Sequence, residues 1–196
     1  MSTKAEPASG GNVIVNPLSG ERIVIRQAAP AGGVLAWELT LAPGGRVPSA
    51  HRHPEQEECF TVLAGTLRFR LGWHRLTAGP GATVRVPPGT VHHFANPGST
   101  VARVAVTTVP ALSMAELLAT AAALAQQQHA AGRRLPRLAD LLLFMRDFER
   151  EVQAPYLPAG VARLATRAGA RLAARLGAGS RYLRLRAVAG RPGREK

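Results

Sequence analysis

Three histidines and a glutamate, held in two short stretches rich in Gly and Pro, constrain this chain more than anything else in it. The first stretch reads GGRVPSAHRHPEQEECFTVLAG and ends at Gly65. The second reads GATVRVPPGTVHHFAN, from Gly81 to Asn96. Together they offer His51, His53, Glu58 and His92. His51 and His53 stand two apart, so on a strand both rings point to one face. Glu58 has the wrong parity for an unbroken strand. Pro54, Glu55 and Gln56 must therefore form a bend that resets the phase. Glu58 then opens a new strand over 59–63, and the Pro87-Pro88-Gly89 turn can return His92 beside the first stretch. Three imidazoles and a carboxylate form a complete ligand set for one divalent transition metal: Fe, Mn, Ni, Zn or Cu. On an octahedral ion they leave two positions open, as a reactive site requires.

Strand parity also sorts the neighbours. Phe60 and Val62 share Glu58's side and are expected to line a cavity, with Phe94 joining them; the same three residues can equally serve as core. Cys59 should face away from the metal as a buried spectator. Glu57 should be solvated or salt-bridged, and His93 should point away from the barrel axis. Arg68, Arg70 and Arg85 alternate with apolar residues and should face solvent; facing inward, they would imply an anionic substrate. No side chain is assigned a catalytic role.

Up to about residue 110 the chain reads as short strands: 22–26, 34–41, 67–71, 83–86 and 101–109. Turns at 16–20, 43–45 and Gly72-Trp73 separate them. Such punctuation indicates an antiparallel sandwich or barrel. The character changes at Pro110. Ser113-Met114-Ala115-Glu116 has the form of a capping box, opening an Ala/Leu-rich helix that should stop at Gly132. Pro136 suits the first turn of a second helix, whose apolar stripe is Leu138, Leu141, Leu142, Met145 and Phe148. A linker over 155–160 leads to a third helix, 161–176, with Arg163, Arg167, Arg171 and Arg175 at four-residue intervals.

The chain has 196 residues, and 46% of them are hydrophobic, so one core plus an appendage is the natural organisation. The formal charge of +13 is uneven: residues 160–196 hold ten Arg or Lys and one Glu. That basicity belongs to the tail, so the barrel itself is not expected to bind nucleic acid. The third helix instead suits an anionic membrane surface or an acidic partner, or is simply a solvated face. The single cysteine excludes an intramolecular disulfide framework. The N-terminus carries no apolar signal core. A cytoplasmic protein is the expectation.

The two stretches resemble the paired motifs of the cupin superfamily. Gly45, His51, His53, Glu58 and Gly65 match G-x5-H-x-H-x3,4-E-x6-G, using the four-residue option before the Glu. Gly81, Pro87, Gly89, His92 and Asn96 match G-x5-P-x-G-x2-H-x3-N. Fifteen residues separate the motifs, close to the spacing of small bacterial cupins. The resemblance implies a mainly β fold: a cupin-type antiparallel β-barrel, or jelly roll, followed by α-helices. The expected organisation is a flexible arm at 1–12, a barrel at 13–110, a helical extension at 111–187 and a basic disordered tail at 188–196. It further implies one metal on His51, His53, Glu58 and His92, a small-molecule ligand or substrate, and a homodimer. The leading expectation for function is a metal-dependent enzyme, a dioxygenase or an isomerase-like cupin acting on a small organic molecule. The alternative is a non-catalytic sensing module that acts through its basic helical tail.

Overall fold

A computed structural model describes residues 13–47, 49–133, 136–155 and 158–189. The expected arm at 1–12 lies outside the described residues, as do 190–196 of the expected tail. Among the described residues, nine strands come first: β1 (Val13–Asn16), β2 (Glu21–Gln27), β3 (Leu35–Leu41), β4 (Glu57–Ala64), β5 (Leu67–Leu71), β6 (His74–Ala78), β7 (Thr83–Val86), β8 (His92–Ala95) and β9 (Ala102–Val109). Four helices follow: α1 (Met114–Ala130), α2 (Leu138–Asp147), α3 (Ala159–Arg175) and α4 (Ala178–Ala189). Of these, β1, β6 and α4 were not expected from the sequence, and α4 includes residues 188 and 189 of the expected tail.

All strand pairs are antiparallel. A six-stranded sheet has the order β1-β2-β3-β9-β4-β7, and a three-stranded sheet has the order β6-β5-β8. Alternation dictates which faces meet. In β3, Leu35, Trp37, Leu39 and Leu41 are buried, while Glu38 turns outward to Arg26 and Arg103. In β9, Ala102, Val104, Val106 and Thr108 point inward on the same rule. The inner faces touch at an aromatic cluster, where Phe60 of β4 lies 5.3 Å from Phe69 of β5 and 5.4 Å from Phe94 of β8. Gly65 allows the β4–β5 corner to close. Its φ is +73°, and a Cβ there would sit 2.7 Å from the Val101 carbonyl oxygen.

The helical half corrects several sequence expectations. The capping box does not form: Ser113 is the N-cap but its hydroxyl caps nothing. Its backbone N–H donates to Glu151 Oε1 at 3.0 Å, and Glu116 pairs with Arg186 instead. A distant carboxylate thus occupies the role the local one was expected to fill. Gly132 does end α1, in a Schellman arrangement with bonds from Gly132 to His129 and from Arg133 to Gln128. The buried face of α2 is Asp140, Leu143, Phe144 and, just beyond it, Phe148. The expected stripe was displaced from this: Leu138 and Leu141 are exposed, and only Phe148 is fully buried. Five consecutive apolar residues, 141–145, left the helical phase underdetermined. Arg181 of α4 decides it by pairing with Asp140 at 2.6 Å, which lets that carboxylate turn inward. Leu142 meets α3 at Gly169, where an added Cβ would stand 2.9 Å from its Cδ1. Arg186 then ties α4 to Glu116 of α1 and to Asp147, both at 2.6 Å. Among the described residues, no helix is long and apolar enough to cross a membrane.

Candidate metal centre

Backbone pairing brings the histidines together. The segment before β4 runs alongside β8, with bridges Arg46↔Ala95 and His51↔His92. His51 and His92 exchange both backbone hydrogen bonds, at 3.1 and 2.8 Å, so their side chains rise from one face of a directly opposed pair. His53 follows two residues on. Its carbonyl accepts the Gly89 N–H at 2.7 Å, which docks the Pro87-Pro88-Gly89 turn against the first stretch. The ring centroids of the three imidazoles lie 4.4–5.1 Å apart. The expected bend at 54–56 is present, and Glu58 enters on the inward parity of β4.

Each imidazole is oriented by the same device. His51 Nδ1 donates to the Ser49 carbonyl at 3.0 Å, His92 Nδ1 to the Thr90 carbonyl at 3.1 Å, and His53 Nδ1 to the Glu151 carbonyl at 2.5 Å. A carbonyl oxygen can only accept. Each Nδ1 therefore carries the proton, and each neutral ring presents an Nε2 lone pair. One ligand atom from each of the three rings lies within 4.8 Å of the others. The Nε2 atoms of His53 and His92 are buried and make no aligned hydrogen bond. They lie 3.2 and 3.3 Å from Glu58 Oε2. Buried polar atoms without partners are costly, and a cation seated among them would satisfy all at once. The donor set fits a divalent transition metal.

The electrostatics follow from the crowding. Desolvation, reinforced by His92 and His53, pushes the His51 imidazolium down to about 3. Burial alone would lower His53 as well, but the Glu58 carboxylate overrides it and the net shift is upward. Burial would raise Glu58, yet the charge and contact of His53, then those of His92, bring its carboxyl well below the usual range. Glu58 thus favours a positive charge at the convergence point. Its Oε1 also accepts from the Thr108 hydroxyl at 3.4 Å, and Thr108 in turn accepts from Trp37 Nε1 at 3.1 Å.

The remaining residues singled out by parity fall as follows. Phe60, Val62 and Phe94 are all buried on the inner faces, and Phe60 and Phe94 pack against Phe69. His93 is half-buried on the opposite side of β8 from His92, and burial with Arg46 nearby lowers its pKa. Cys59 faces away from the histidines but is only half-buried, because its outward side of β4 is partly open. Glu57 pairs with Arg85, and Glu55 with Arg150. Arg68, Arg70 and Arg85 are exposed, which removes the basis for an anionic-substrate reading. Sequence reasoning missed Trp37, Thr108, Glu151 and Gln153. Thr108 lies on the inward parity of β9, a usable signal. Nothing local connects residue 151 to residue 53.

A family model described as the cupin domain matches residues 37–109. No curated protein matches the chain. Solved structures with a similar fold include the cupin domain of Cnp3 from Schizosaccharomyces pombe, 15% identical over 45% of this chain and 60% of that one, with a TM-score of 0.43. A sugar phosphate isomerase from a cupin superfamily of Silicibacter pomeroyi is 21% identical over 47% of this chain and 60% of its own, with a TM-score of 0.43. The chain therefore spans less than two thirds of either. An RmlC-like cupin from Shewanella frigidimarina is 16% identical over 56% of this chain and 93% of its own, with a TM-score of 0.47.

Proposed function

The chain belongs to the cupin superfamily, and from that premise we propose that it is a metal-dependent enzyme, oxygenase-like or isomerase-like, acting on a small organic molecule. The observation that carries this reading is the triple Nδ1 anchoring, which leaves three Nε2 lone pairs facing one another beside Glu58. His51, His53, His92 and Glu58 would hold one divalent transition metal. When bound, such an ion supplies Lewis acidity and, if redox-active, one-electron chemistry. The chain's own part is to orient the ligands, to supply a dry wall through Phe60, Val62 and Phe94, and to hold the carboxylate through Thr108. The lone Cys59 accords with a cytoplasmic setting. The sheet ends at β6 and β7, which pair with no further strand among the described residues, suit a homodimer.

A second reading has its own support. The helical extension reaches the site at His53, as a sensing module acting through its helices would require. One experiment separates the two. Purified protein is analysed for metal, then its Fe(II), Mn(II), Ni(II) and Zn(II) forms are screened against a metabolite library for O2 uptake and product formation. Turnover by any form supports the enzyme. Tight ligand binding without turnover by every form supports the sensor.

A further inference from the structure

Two of the three imidazoles are oriented from within their own segment, by the carbonyl two residues earlier: Ser49 for His51 and Thr90 for His92. His53 differs. Its Nδ1 partner is Glu151, 98 positions away, in the connection that follows α2. We propose that this connection, residues 148–155, is a positioning element of the metal centre, so that docking of the helical extension and metal binding are coupled. The proposal rests on the metal reading above.

Three further contacts hold the Glu151 carbonyl in place. Gln153 and Arg52 exchange both backbone hydrogen bonds, at 3.2 and 2.9 Å, adding one rung of antiparallel pairing beside His53. The Glu151 side chain is buried and accepts the Ser113 N–H, tying the connection to the start of α1. Arg150 pairs with Glu55 in the bend between His53 and Glu58. The barrel supplies His53, but the extension sets its tautomer and ring direction. Outer partners of this kind typically tune metal affinity about 10- to 100-fold. Coupling between two binding events is reciprocal, so metal must also stabilise the docked connection.

The test uses the full-length chain and Co(II) as the probe. Affinity is read from visible absorption, and backbone protection from hydrogen exchange with and without Co(II). Glu151→Ala removes the tie to Ser113, and about a 10-fold loss of Co(II) affinity is expected, at the lower end of the outer-partner range because the carbonyl itself remains. Glu151→Gln keeps an acceptor and should bind as the wild type does. In the wild type, Co(II) should slow exchange across 148–155. A merely structural role would lower the melting temperature of metal-free Glu151→Ala and leave its Co(II) affinity alone. That result, or exchange in 148–155 unchanged by Co(II), overturns the positioning role while leaving the metal centre standing. No Co(II) binding by the wild type overturns the metal reading and this proposal with it.

Discussion

His92 and His93 are adjacent, yet only His92 faces the convergence point, because successive strand residues face opposite ways. Alanine at His51 or at His92 should therefore empty the site, whereas alanine at His93 should leave near-stoichiometric metal by elemental analysis. Metal must also compete with protons. His51 is neutral across the ordinary range, since its imidazolium is pushed down to about 3. His53 is shifted upward by Glu58, so it takes up a proton sooner than a free histidine as pH falls. Metal affinity should then decline with falling pH, and the decline should begin above the usual imidazole value of about 6.5. An affinity that stays flat from neutral pH down to about pH 5 would contradict this. Behind Glu58, Thr108 both donates to the carboxylate and accepts from the buried Trp37 N–H. Thr108→Val leaves that N–H without a partner, at a cost of about 1–3 kcal/mol. Denaturant unfolding of the metal-free protein should show the loss.

Among the elements, α3 has two distinct sides. Ala162, Ala170 and Ala173 are buried against the rest of the extension, and Gly169 receives Leu142. The other side exposes Val161, Leu164, Leu172 and Leu176, with Arg171 and Arg175 among them. Arg167 is already engaged by Glu149. Exposed leucines beside arginines match the requirements of an anionic lipid surface, where each basic residue contributes about 1 kcal/mol. We expect Arg171→Ala/Arg175→Ala to weaken binding to phosphatidylserine vesicles roughly 30-fold, from about 2 kcal/mol in all. Binding by the wild type should also weaken with added salt. Absence of vesicle binding by the wild type at low salt would leave α3 as a solvated face.

For the whole molecule, the chain mass of 20.7 kDa sets the scale for assembly. The apolar stripe expected on the second helix needs a cover, either from the chain itself or from a second copy. The same chain supplies much of that cover: α3 meets Leu142, and Phe148 is buried under Arg186. What remains in favour of a dimer is the other end of the six-stranded sheet, β7, which pairs with no further strand among the described residues; the β1 end is already met by α1, where Gln126 donates to the Val15 carbonyl. Light scattering at high concentration should give twice the chain mass, and a value near 20.7 kDa would refute pairing.

The sequence by itself determined the barrel and the identity of the clustered side chains. Strand parity, the bend after His53 and the glycine turns are local rules, and they act within a few residues of where they are read. His51, His53 and Glu58 were legible for that reason, as was the outward direction of Arg68, Arg70 and Arg85, whereas His92, far along the chain, was joined to them by the paired motifs. Only the tertiary structure decided what stands behind them. Glu151 reaches His53 and caps Ser113, Thr108 joins Trp37 to Glu58, and Asp140 turns inward because Arg181 meets it. Each of these depends on two distant elements arriving at one place. Periodicity carries no information about such meetings, because packing and ion pairing between helices select among phases that the local sequence leaves nearly equal.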